Sequence, residues 1–75
     1  MYTGDITIHI DEDLDNDDIH DLEQQIGDEH GVYCACIHEK TRHLMVVDFD
    51  TVEVQPSGIV QAFRKRGLNA QMIGF

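Results

Sequence analysis

The chain has 75 residues, fifteen of them acidic and five basic, a formal charge of −10 and a 41% share of hydrophobic residues. That length holds one domain, residues 1–75, burying roughly 60% of the surface its unfolded chain exposes, and the apolar fraction is too high for a disordered chain. The negative balance repels phosphate backbones and anionic lipid heads, which argues against nucleic acid and membranes as partners and favours cations or basic surfaces.

The opening residues MYTGDITIHI have neither a basic start nor an apolar run, so no signal peptide is expected, and no stretch of about 20 apolar residues offers a membrane span. The expectation is a soluble, cytoplasmic protein. Ile6, Ile8 and Ile10 alternate with Thr7 and His9, which predicts a half-buried first strand. From Asp13 to His30, Leu14, Ile19, Leu22 and Ile26 recur at helical spacing behind an acidic first turn, with Gly31 as the stop. Val32 to Glu39 and Leu44 to Asp50 are rich in β-branched and small residues, and the short EKTR link makes them a hairpin. Pro56 suits the first turn of a second helix that carries Ile59, Ala62 and Phe63 inward. That helix ends in Arg64, Lys65 and Arg66 before Gly67, and LNAQMIGF reads as the last strand.

The order strand, helix, strand, strand, helix, strand is that of a split βαβ unit. It predicts an α+β, ferredoxin-like βαββαβ sandwich, a four-stranded antiparallel sheet with two helices on one face and the other face open.

Gly31-Val32 opening the second strand, VVDFD closing the third, Pro56 at the second helix and RGLNA before the fourth strand together resemble the heavy-metal-associated domain of copper chaperones and metal-pumping ATPases. The resemblance covers almost the whole chain and implies a small non-enzymatic protein that binds or carries a transition metal such as copper or zinc. That family carries a Gly-Met-x-Cys-x-x-Cys loop between its first strand and first helix. This sequence has DEDLDNDD at residues 11–18 instead, so no ligand residue carries over.

The chain's two cysteines stand elsewhere, in VYCACIHE at residues 32–39. If Ala35 and Ile37 face the helices, after a small irregularity near Val32, then Cys34, Cys36 and His38 share the open face with Leu44, Val46 and Asp48. With His9 of the first strand they form a candidate set of soft metal ligands. Alternate residues on a strand have Cα atoms about 7 Å apart, while two sulfurs on one zinc approach within about 4 Å, so the thiols must lean together. Apolar neighbours such as Leu44 and Val46 are expected to raise the thiol pKa, and the plainer account is that these cysteines are packing residues.

Asp11, Asp13 and Asp15 alternate like the first half of an EF-hand loop, but Asn16 replaces its turn glycine and Leu22 its bidentate glutamate. A loose site for a hard divalent cation is one reading, and a solvated acidic helix start that keeps the protein soluble is the favoured one. The basic run at 64–66 is read as compensation of the helix dipole rather than an anion grip. The open face, with Thr7, His9, Leu44, Val46, Gln71 and Ile73, lacks the aromatic rings on which RNA bases stack. No catalytic motif is present, and the remaining histidines and Tyr33 read as surface residues.

Two functions follow. One is metal binding or trafficking through Cys34, Cys36, His38 and His9. The other is an interaction module that pairs with itself or a protein partner through the partly apolar open face. A ligand-sensing module of the ACT kind shares the topology, but no motif in the sequence supports it.

Overall fold

A computed structural model describes residues 3–73, with six elements in the order β1 (Thr3–Ile10), α1 (Asn16–Gly27), β2 (Val32–His38), β3 (Thr41–Asp50), α2 (Pro56–Arg64) and β4 (Ala70–Ile73). The strands form one antiparallel sheet in the order β2-β3-β1-β4. The architecture is the ferredoxin-like βαββαβ sandwich. Gly74 and Phe75, read above as the end of the last strand, lie outside the described residues.

The alternation of β1 does what its sequence requires: Ile6, Ile8 and Ile10 are buried while Asp5, Thr7 and His9 face the other way. Met45, Val47 and Phe49 of β3 join them in one cluster with Leu22 and Ile26 of α1 and Ile59, Val60, Ala62 and Phe63 of α2. Removing the side chain of the fully buried Phe63 would cost about 3–5 kcal/mol.

Element ends differ from the sequence reading for local reasons. α1 starts at Asn16 rather than Asp13 because the Asp15 carboxylate caps it, accepting the Asp18 N–H at 2.8 Å. It ends at Gly27, a poor helix former, and Leu14 packs against the core from outside the helix. Gly31 is then needed for the entry to β2: its φ is +81°, and a Cβ there would run into Val54 Cγ2. The hairpin turn shrinks to Glu39-Lys40, since Thr41 and Arg42 extend β3, and Arg42 bonds Asn16 Oδ1 and the Leu14 carbonyl.

The basic run is divided. Arg64 lies in the last turn of α2, whereas Arg66 clamps the two helices together, reaching Gln25 Oε1 at 2.9 Å, Glu29 Oε1 at 3.1 Å and the Ala62 carbonyl at 2.6 Å. On the exposed edge of the sheet, the β2 N–H of Ile37 donates to Glu23 Oε2 at 2.8 Å. A carboxylate from α1 thus blunts an edge that would otherwise offer a free donor.

Candidate functional site

The antiparallel registers set the open face in three rows. Asp5, Asp48 and Cys34 form an acidic row. Ile73, Thr7, Val46 and Cys36 form an apolar row. Gln71, His9 and Leu44 form the third.

A register shift between Val32 and Cys34 puts Tyr33 in as an extra residue, which resets the alternation of β2. Ala35 and Ile37 then pack against the core, and Cys34 and Cys36 emerge as free, exposed thiols. Tyr33 itself donates to Asp50 Oδ2 at 3.1 Å.

Cys34 donates its thiol proton to Asp48 Oδ2 at 3.2 Å. This hydrogen bond, with smaller contributions from desolvation and the negative field of the carboxylate, holds the Cys34 thiol above its ordinary pKa. The direction is the one expected from the sequence, but its largest cause is a carboxylate neighbour, ahead of desolvation.

The two histidines of the candidate set are engaged with other groups. A second register shift precedes His38, whose Nδ1 accepts the Lys40 N–H at 3.3 Å in the hairpin turn. His9 is on β1, and β3 runs between β1 and β2, so it lies at least two strand spacings, about 10 Å, from the thiols across the sheet.

His9 belongs instead to a cluster that sequence reasoning missed. Its ring stacks on His43 at 5.8 Å between centroids and 17° between planes. Asp11 Oδ1 lies 3.1 Å from His9 Nδ1, yet out of line, so that nitrogen is buried without a hydrogen bond. His43 is held at both ends, with Nδ1 2.7 Å from the Ile10 carbonyl and Nε2 3.0 Å from Asp13 Oδ1. A carbonyl oxygen only accepts, so Nδ1 of His43 carries a proton. The register of β1 on β3 sets His9 opposite Leu44, the neighbour of His43, and no motif in the sequence signals the pair.

The acidic run is likewise dispersed: Asp15 caps α1, Asp13 meets His43, and Glu12 holds the Asn69 N–H at 2.9 Å and its Nδ2 at 2.8 Å. Among the described residues, no three His, Cys, Asp or Glu side chains gather so as to hold a metal ion. The thiol pair is thus an incomplete soft-donor set, suited to copper(I) or zinc by ligand type but short of the four donors that zinc takes.

No protein-family model matches the chain, and no curated protein matches it. Solved structures do. The apo form of the copper chaperone of Enterococcus hirae superposes with a TM-score of 0.79 at 26% identity, over 91% of this chain and 98% of that one. A copper-binding domain from HMA7, a P-type ATPase, gives 0.82 at 17% identity over 93% of each chain. Oxidized MerP from Ralstonia metallidurans CH34 gives 0.81 at 17% identity, over 93% of this chain and 96% of that one. The fold is therefore that of the heavy-metal-associated domains, and no helix among the described residues is long and apolar enough to cross a membrane.

Proposed function

We propose that this chain is a non-enzymatic metal-handling domain that takes a soft transition-metal ion, copper(I) or zinc, as cargo on Cys34 and Cys36 of the open sheet face. One observation carries the reading: the only two cysteines are free, exposed and on the same side of one strand. Its support is the likeness to a copper chaperone and a copper-binding ATPase domain. The β1–α1 loop has no thiol to offer, and Glu12, Asp13 and Asp15 in it are otherwise engaged.

The thiols bind the ion as thiolates, so loading displaces the Cys34 proton now shared with Asp48 and is favoured by rising pH. His38, two residues beyond Cys36, is the imidazole in reach by local motion, once its ring releases the Lys40 N–H. His9 is assigned to the His43 cluster rather than to the ion. The test is a competition titration with copper(I) and zinc. Replacing both cysteines by serine lowers affinity at least tenfold if the reading holds; equal affinity removes it.

A further inference from the structure

We infer that the cleft at the turn between α2 and β4 takes a small zwitterion, a molecule with an ammonium and a carboxylate a few bonds apart, with Arg64 on its carboxylate and Asp11 on its ammonium. β4 is the edge of the sheet opposite β2, so this site is separate from the thiols.

Asn69 builds the cleft by tying the turn to the β1–α1 loop. Its carbonyl accepts the Asp11 N–H at 2.9 Å, and its own N–H and Nδ2 donate to Glu12 at 2.9 Å and 2.8 Å. Arg64, in the last turn of α2, reaches the Ala70 carbonyl at 3.3 Å. These bonds bring an aspartate of the loop and an arginine of the helix to one space of about 550 Å³, lined also by Leu68, Asn69 and Gln71. That volume lies within the roughly 300–1,000 Å³ of small-molecule sites.

Two opposite charges thus line one space without cancelling each other. Among the described residues no ion pair joins Arg64 to Asp11. The guanidinium spends one N–H on Ala70 and keeps the rest of its fork of donors for a ligand. Asp11 has its Oδ1 3.1 Å from His9 Nδ1, but out of line for a hydrogen bond. In this it differs from Glu12, Asp13 and Asp15, which are held by Asn69, His43 and the start of α1.

The sign of these charges chooses the ligand. A simple anion gains Arg64 but meets the negative field of Asp11 and of its chain neighbour Glu12. A simple cation gains Asp11 but meets the positive field of Arg64 and of its chain neighbour Lys65. A ligand with both signs pairs each charge with its opposite, and a carboxylate matches the guanidinium fork with two parallel N–H···O bonds. The amide of Gln71 is a further polar contact for such a ligand. Asp11, Arg64, Asn69 and Gln71 are all exposed, so each ion pair stays wet and contributes little, and binding is expected in the millimolar range.

The experiment titrates the full, metal-free chain with glycine, β-alanine and γ-aminobutyrate, which set the two charges progressively further apart, and reads amide NMR shifts. Acetate and methylamine, the two halves of such a molecule, are titrated at the same ionic strength. One zwitterion of the series is expected to give saturable shifts at residues 11, 64 and 67–71 and to bind at least fivefold tighter than either half. Arg64→Gln lowers its affinity to that of methylamine, and Asp11→Asn, at an exposed position with no packing to lose, lowers it to that of acetate; the same spectra check that both variants fold. Acetate or methylamine binding as tightly as every zwitterion overturns the inference, as do shifts that fail to saturate at tens of millimolar or that both variants leave unchanged.

Discussion

The Cys34 thiol and the Asp48 carboxylate, on neighbouring strands and directly paired in register, are joined by a 3.2 Å hydrogen bond in which sulfur is the donor. The proton therefore sits on sulfur, where the carboxylate holds it above the ordinary thiol range. Asp48→Asn removes the charge and the anionic acceptor together. The expected result is a lower Cys34 pKa and faster alkylation of Cys34 by iodoacetamide at a fixed pH near 8, several-fold against the parent, read by peptide mapping of Cys34 against Cys36. In the folded chain this pKa is raised, so the hydrogen bond stabilises fully at pH values below the unfolded thiol's titration. Its contribution fades as pH rises through the folded value.

Asp50 has the opposite sign. Its carboxylate accepts the Val52 N–H at 2.8 Å, and this bond, followed by that from Tyr33 and a longer one from Glu53, lowers its pKa against a smaller opposing desolvation. The stabilisation is present above the ordinary carboxylate pKa and is lost as pH falls through the depressed folded value. Urea midpoints between pH 5 and pH 2 should fall more steeply for the parent than for Asp50→Asn, which has nothing to titrate there. Parallel curves would contradict this account of the β3–α2 turn.

Two glycines share a φ of +81° and differ in their surroundings. At Gly67 an added Cβ meets nothing within 4 Å, while at Gly31 it runs into Val54 Cγ2. Gly67→Ala should cost about 1–2 kcal/mol from backbone conformation alone. Gly31→Ala should cost more, because Val54 must also move, and the double variant Gly31→Ala with Val54→Ala should recover part of that difference. Equal costs in chemical denaturation would show that the Gly31 contact relaxes freely.

Glu23 guards the β2 edge through the Ile37 N–H. Glu23→Ala should cost about 1 kcal/mol, the net worth of such a bond, and leave the donor unpaired. The Ile37 amide should then exchange hydrogen faster in comparison with Met45, which lies in the middle of the sheet. Unchanged protection at Ile37 would show that the carboxylate is not its partner in solution.

The sandwich was legible in the chain because local rules dictate it: alternation at Ile6, Ile8 and Ile10, helical spacing at Leu22 and Ile26, and Pro56 opening the second helix each specify one element. The outward placing of Cys34 and Cys36 was legible too, given an irregularity near Val32, since side-chain direction on a strand is a matter of parity. Contacts between distant residues are set by strand register and helix placement, which no short stretch encodes. Hence the sequence could not pair Cys34 with Asp48, stack His9 on His43 and so withdraw it from the thiols, or send Arg66 across to α1. Residue types alone determined which atoms are soft donors; only the folded sheet decided how far apart they stand, because β3 lies between the strand of His9 and that of the thiols.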